Sequence, residues 1–445
     1  MNPPLGLLYI AGYLNKYTSH KVTVIDSHVE RLGYPGLEAV LTSLDYDVVG
    51  VSAMTMTIID VLKTVWLVKK LTPEAIVVLG GPHVNLFPRQ TLQFPEVDYI
   101  VTGEGEITFS RLLERIESGL SPDDIPGVGY KVGDKLMEPT APEFISDLDH
   151  LPFPARHLTP YKKYSSLLST DDIVTTIFTS RGCPFQCRFC DRPQMGRKFR
   201  ARSADNVLKE IAECVEIGIH EFLFYDDTFT VKRQRVLDIC QGIIRQNLKI
   251  RFDIRARVDT VDSEMLYLLK KAGCQGVHYG VEAGTSKVLK NLQKGITLEQ
   301  AEHAFALTRQ AKIQTLAYFM IGSPGETLSD IHETFRTIKR LDPDYLHMTI
   351  LTPFPGTEIY AEALRRGIIE SDLWASFASD PQPGFQPPHW GEFFTRDELN
   401  ELLVKGYRSF YLRPGYILKR LHNVRGITEL KRKAKAGLAV FRMGK

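Results

Sequence analysis

Apolar residues recur along this chain in two rhythms. Short runs rich in Val, Ile, Phe and Tyr alternate with longer stretches in which apolar positions return every three or four residues. The first rhythm marks strands and the second marks helices. From Lys21 to Glu117 the runs KVTVIDSH, DVVGVSA, AIVVLGG and VDYIVTG are separated by amphipathic stretches such as Ile58 to Lys70. That alternation predicts an α/β domain over residues 1–120, a doubly wound, Rossmann-like parallel sheet wrapped by helices. Such folds bind ligands at the carboxyl ends of their strands. Those ends carry Ser52, Gly80 and Gly81, and the run Gly103-Glu104-Gly105-Glu106.

Residues 121–165 break the rhythm. They are rich in Pro, Gly and Asp and read as a linker with one hairpin-like piece. From Ile173 the alternation resumes as IVTTIFTS, EFLFYDD, IRFDIRARV, GVHYGVE, TLAYFMIG and YLHMTILTP. Six strand-helix units predict a partial (β/α)6 barrel over residues 166–370, with its chemistry at the strand ends. Residues 371–445 read as a mainly helical region whose loop DPQPGFQPPHWGEFF could cover the barrel mouth.

A chain of 445 residues exceeds one ordinary core, in keeping with several domains. With 43% hydrophobic and 24% charged residues it falls among soluble globular proteins. Its apolar runs are too short for a membrane span, and no cationic segment precedes the first one, so a cytoplasmic location is expected. The net charge of +2 conceals an asymmetry: Tyr416 to Lys445 holds nine Lys or Arg against Glu429. A solvated terminal helix accounts for such a tail, as does peripheral contact with a membrane surface or another anionic partner. No nucleic-acid partner is expected.

Three of the six cysteines, Cys183, Cys187 and Cys190, are spaced C-x3-C-x2-C just after the first barrel strand. In a reducing compartment so tight a cluster points to metal binding rather than disulfides. Three thiolates without a fourth Cys or His fit poorly with a closed tetrahedral zinc site. They suit a [4Fe-4S] cluster with one open iron, against the competing reading of a zinc knuckle or an incidental cysteine-rich loop. Cys214, Cys240 and Cys274 stand apart in apolar or helical contexts suited to buried small residues.

The spacing, with the aromatic Phe189 directly before the last cysteine, resembles the radical S-adenosylmethionine (radical SAM) superfamily. The resemblance implies that the amino and carboxylate groups of SAM chelate the open iron, and that one electron cleaves the sulfonium to a 5'-deoxyadenosyl radical. It places Asp226 or Asp227, in FLFYDD, near the SAM amino group, although paired aspartates after a strand also cap helices. It places Arg257, in RARVD, near the SAM carboxylate, with a surface salt bridge as the alternative. Glu282, in GVEAG, falls where the ribose hydroxyls are held. Gly322 and Gly325, in IGSPGET, would admit close approach of the adenine.

The series PPLGLLYIAGYL, VGVSAMT, VVLGGPH and VTGEGE is similar to the cobalamin-binding domain that precedes many such barrels. Ser52 and Gly80-Gly81 stand 28 residues apart, near the spacing of the elements that line the dimethylbenzimidazole tail pocket, and Gly103 and Glu104 fall at the next strand end. DSHVERLG mimics the cobalt-ligating Asp-x-His-x-x-Gly signature, but Gly33 comes five residues after His28, so His28 is not expected to ligate cobalt. The family's usual apolar first strand, ending near Asn2-Pro3-Pro4, has no counterpart, which predicts a reduced domain or a shortened start.

The activity implied by the resemblance is methylation of an unactivated carbon or of phosphinate phosphorus in a small molecule, with an external one-electron donor such as flavodoxin or ferredoxin. The alternative is oxidative cyclisation, as in the anaerobic cyclase of Mg-protoporphyrin monomethyl ester. A methylthiotransferase is disfavoured because no cysteine precedes Cys183. A non-catalytic cobalamin or redox sensor would not need a whole SAM pocket. The loop 380–394 and the aromatic GYRSFYLRP could line a substrate site, against the alternative of helix and lid packing.

Overall fold

Two parallel sheets organise the chain in the computed structural model, which describes residues 2–165, 173–191 and 195–422. The part of the basic tail beyond residue 422 lies outside the described residues. In the first sheet β1 (Val48–Ser52), β2 (Ile76–Gly80) and β3 (Tyr99–Val101) run parallel, with Ser52 opposite Gly80 and Gly80 opposite Val101. Their carboxyl ends therefore lie in one line. The hairpin β4 (Val128–Val132) and β5 (Lys135–Met137) then adds to β3 antiparallel. This corrects the linker boundary: the N-terminal sheet runs on to Met137. The hairpin joins it because Val128 is buried beside Val101 and the Tyr130 ring stacks on Tyr99 at 6.2 Å.

KVTVIDSH does not form the expected strand. Among the described strands β1 has β2 as its one neighbour. Val22, Val24 and Ile25 of that segment line a cavity of about 1880 Å³ together with Val49 and Val51, and Ile25 packs against the sheet's core without joining its ladder. Strands bond only at about 4.8 Å spacing, so β-propensity alone cannot complete the ladder.

The second sheet realises all six expected barrel strands. They are β6 (Val174–Ile177), then β9 (Glu221–Phe224), β10 (Arg251–Ala256), β11 (Cys274–Glu282), β12 (Gln314–Ile321) and β13 (Tyr345–Ile350), all parallel and in sequence order. Between the first two lies a small antiparallel pair, β7 (Ser180–Arg181) and β8 (Arg200–Ala201). Side chains alternate along each barrel strand. Phe222, Phe252, Val277 and Phe319 are buried under the helices, while Asp253, Arg255, His278 and Tyr318 face the hollow.

The outer edge of β13 is closed by the helix Arg396–Tyr411, which starts at a Thr395–Glu398 capping box. The Tyr411 hydroxyl accepts from Leu346 N (2.8 Å) and donates to Leu346 O (2.9 Å), and the Tyr407 hydroxyl does the same at Met348 (2.8 and 2.9 Å). Two phenols stand in for a missing strand. The aromatic GYRSFYLRP therefore serves packing. In the loop 380–394, Phe385 stacks on Phe377 at 4.1 Å and Glu392 accepts from Gly325 N at 2.9 Å, which sets the loop over the end of β12. No helix among the described residues is long and apolar enough to cross a membrane.

Candidate functional site

The cysteine loop leaves the barrel between β7 and β8, whose pairing pins its two ends. At Gly182 (φ 81°) a Cβ would collide with the carbonyl of Lys198, so only glycine passes there. Asp226, fully buried just past β9, fastens the loop from below. Its carboxylate accepts from the backbone N of Thr179 (2.6 Å) and Ser180 (3.2 Å), from the Ser180 hydroxyl (2.8 Å) and from the Thr179 hydroxyl. Four donors occupy the four lone-pair sites of a carboxylate. Of the two candidates for the SAM amino group, Asp226 is thus spent on the loop, and the exposed Asp227 is left facing the thiols.

Burial raises the Cys183 thiol, and Asp227 and Cys187 push it the same way. The protein mass around Cys190 likewise raises its thiol although the residue reaches the surface, and Cys187, Asp227 and Cys183 add to the effect. Thiols kept protonated in this way, Cys183 and Cys190, are poor ligands until a cationic centre turns them into thiolates. No three His, Cys, Asp or Glu side chains among the described residues gather tightly enough for a single ion. A four-iron cluster instead takes each cysteine on a different iron, and this soft, spread donor set fits it.

Arg257 is buried beside this claw rather than on the surface. Its guanidinium lies 3.8 Å from the Phe185 ring centroid, forks onto Asp259 (2.9 Å twice), donates to the carbonyls of Lys294 (3.0 Å) and Gly295 (3.3 Å), and reaches Cys187 Sγ at 4.0 Å. Glu282 sits at φ 75°, where the register of β11 against β12 shifts, and pairs with Lys294 Nζ at 2.8 Å. Lys294 in turn stands 5.8 Å from the Phe189 ring centroid. Both predicted charges and Phe189 therefore converge near the thiols.

Gly322 (φ 76°) and Gly325 (φ 68°) use their freedom differently from the expectation of a ligand slot. A Cβ on Gly322 would meet Leu399 at 2.9 Å, and Gly325 N is bonded to Glu392, so the C-terminal region makes the close approach. Beside them Glu326 is buried with Oε1 unpartnered, next to an unpartnered Ser323 hydroxyl. Burial pushes its carboxyl up to about 7.

At the N-terminal sheet, Gly81 has φ 98°, and a Cβ there would meet Ala53 O at 2.9 Å and Ser52 Oγ at 3.1 Å. Ser52, Gly80 and Gly81 line the large cavity with Gly103 and Glu104. His83 is fully buried, its Nδ1 3.2 Å from the Thr55 hydroxyl and its Nε2 without a partner; burial lowers it to about 4. A cradle that a Cβ would fill, opening on a large cavity, fits the nucleotide tail of a cobalamin. Gly103 and Glu104 are differently engaged. Gly103 N donates to Asn85 at 2.8 Å, while Glu104 binds Arg181 (2.8 Å), Arg200 (2.7 Å) and Ile145 N (2.6 Å). Glu106 takes the other arm of Arg181 at 2.5 Å. Burial alone would raise Glu104, but Arg200 and Arg181 hold it below its usual range. One buried seam thus ties the third strand end of the first sheet to the residue two places before Cys183.

Sequence reasoning missed Lys294, Phe185, His83 and Arg181. Lys294 lies in NLQKGIT without a motif, and for Arg181 the one available signal was its place beside the claw.

The Radical SAM superfamily profile matches residues 177–338 and the B12 binding domain profile matches residues 2–113. A methyltransferase of Pyrococcus horikoshii, itself uncharacterised, is 32% identical over 443 residues, covering 99% of this chain and 94% of that protein. The anaerobic magnesium-protoporphyrin IX monomethyl ester cyclase of Rubrivivax gelatinosus is 28% identical over 425 residues, 93% of this chain and 75% of its own. Among solved structures, the cobalamin-dependent SAM radical enzyme OxsB, with aqua-cobalamin and SAM bound, has a TM-score of 0.78 at 19% identity, covering 98% of this chain and 68% of its own. The methyltransferase TsrM from Kitasatospora setae, with cobalamin and a [4Fe-4S] cluster, has 0.72 at 21%, covering 82% and 76%. Both share the fold.

Proposed function

This chain belongs to the radical SAM enzymes that carry a cobalamin-binding domain, and on that premise we propose that it methylates an unactivated carbon or phosphorus of a small molecule. The observation that carries this reading is the likeness, along nearly the whole chain, to a methyltransferase. When bound, the cluster supplies the electron that cleaves SAM and cobalamin carries the methyl group. Cys183, Cys187 and Cys190 would hold the cluster, with Arg257 and Lys294 offsetting its negative charge. The exposed Asp227 offers an acceptor to the SAM amino group, and Glu282 one to the ribose hydroxyls. Ser52, Gly80 and Gly81 would receive the cobalamin tail. The aromatic loop around Phe385 and Trp390 would keep water from the strand ends.

A second reading, oxidative cyclisation of a porphyrin, is favoured by the likeness to the Rubrivivax cyclase. Either reading calls for an external one-electron donor of the flavodoxin or ferredoxin class, and the basic run from Tyr416 to Lys445 offers a peripheral contact to an anionic membrane surface. Anaerobically reconstituted protein, given SAM and dithionite with or without cobalamin, separates the readings. Methylation predicts 5'-deoxyadenosine together with S-adenosylhomocysteine that depends on cobalamin. Deoxyadenosine alone supports cyclisation, and neither product from protein with an intact cluster contradicts both.

A further inference from the structure

The hollow face of the barrel sheet carries a cation, Arg255, whose charge reaches Asp227 beside the claw but which makes no hydrogen bond or ion pair among the described residues. Strand register lines up a row just below the cofactor end: Arg255 on β10 stands opposite His278 on β11, Gly280 on β11 opposite Tyr318 on β12, and Tyr318 opposite His347 on β13. These side chains are half-buried or exposed, whereas their neighbours Ile254, Tyr279, Phe319 and Met348 are buried under the helices. The row therefore faces the hollow. Most of its polar groups are engaged with each other. His278 Nε2 is 3.4 Å from Asp253, its Nδ1 is 3.5 Å from the Tyr318 hydroxyl, and the Tyr318 and His347 rings lie 5.3 Å apart.

Arg255 is different. Its guanidinium lies 3.8 Å from the Tyr225 ring centroid, and among the described residues it makes no hydrogen bond or ion pair. Other arginines of the barrel that lie partly or wholly out of water are tied: Arg188 to Glu362, Arg235 to two carbonyls, Arg257 to Asp259. The Tyr225 platform is itself fixed, since Asn2 donates to its hydroxyl at 3.2 Å and Phe178 meets it edge-on at 6.4 Å. A guanidinium held over a ring is positioned with little freedom, and half-buried without a protein hydrogen-bond partner it leaves its fork of donors to solvent or to a ligand. That geometry suits a bidentate oxyanion.

We propose that Arg255 anchors an oxyanion of the substrate, a carboxylate or a phosphate, with the rest of the substrate lying along Tyr318 and His347. The proposal rests on the reading of the barrel as the reaction chamber. It is tested by calorimetric titration of cluster-reconstituted, SAM-bound protein with phenyl phosphate, benzoate and benzyl alcohol, which share a ring and differ in head group. At least one anion is expected to bind about tenfold or more tightly than benzyl alcohol, and the tighter anion identifies the head group. Arg255→Gln should remove that preference, Arg255→Lys should keep part of it, and Tyr225→Leu should weaken it without abolishing it. Equal binding of alcohol and anions, no binding of either anion, or wild-type anion affinity in Arg255→Gln overturns the proposal. The readout needs no turnover, so failure of SAM cleavage would sink the proposed reaction while leaving this result legible.

Discussion

Both sheets turn their strand ends toward the same buried seam, yet they prepare those ends in opposite ways. The barrel finishes its free edge with tyrosine hydroxyls and crowds its strand ends with committed charges: Asp226 under the loop, Arg257 on Asp259, Glu282 on Lys294. The N-terminal sheet leaves β1 facing a cavity of about 1880 Å³ and lines its ends with Ser52, Gly80 and Gly81. The difference follows from what each end would hold. A cluster with thiolate ligands is a compact charge that fixed charges nearby can tune. A bulky preformed cofactor needs space and backbone access.

The strongest way to break this comparison is to cut the seam between the sheets. Arg181→Met leaves Glu104 and Glu106 buried without their shared cation, and should cost about 3–5 kcal/mol in denaturant unfolding. An unchanged midpoint would show that the seam does not join the two domains.

The pH dependence sharpens the comparison, because the two ends carry buried groups shifted in opposite directions. Glu326, at the end of β12, is raised from 4.5 to about 7. Its contribution is full below about 4.5 and is lost as pH climbs through about 7. His83, after β2, is lowered from 6.5 to about 4, so its contribution is full above 6.5 and is lost as pH falls toward 4. Each effect is on the order of 3 kcal/mol. Unfolding measured from pH 4 to 8 should lose the alkaline decline in Glu326→Gln and the acid decline in His83→Phe.

A smaller effect belongs to the barrel edge. Tyr407→Phe strips Met348 N and O of their partner and should cost about 1–3 kcal/mol. The smallest belongs to the tail cradle, where Gly81→Ala should weaken cobalamin binding by about 1.4 kcal/mol, or tenfold, in a spectrophotometric titration. The cluster content of that variant should stay at the wild-type level.

What the sequence disclosed was whatever depends on neighbours along the chain. All six barrel strands followed from local alternation, and the claw followed from the spacing of Cys183, Cys187 and Cys190. KVTVIDSH has the same local signal and fails, because a strand needs a partner and β1 pairs with β2 instead of with this segment. The hidden parts are long-range pairings. Glu104 meets Arg181 across 77 residues and Tyr407 meets Met348 across 59, and no periodicity records either. Asp226 shows the limit within a motif: its position was readable, but its role depends on the hydroxyls of Thr179 and Ser180 47 and 46 residues earlier.

The central claim is that Cys183, Cys187 and Cys190 hold a four-iron cluster whose remaining iron is open to SAM. Electron paramagnetic resonance of the dithionite-reduced, reconstituted protein tests it most directly. The account predicts a reduced [4Fe-4S] signal whose g-values shift when SAM is added, and its loss in Cys183→Ala. A cluster signal that SAM leaves unmoved, or one that survives in Cys183→Ala, would contradict it.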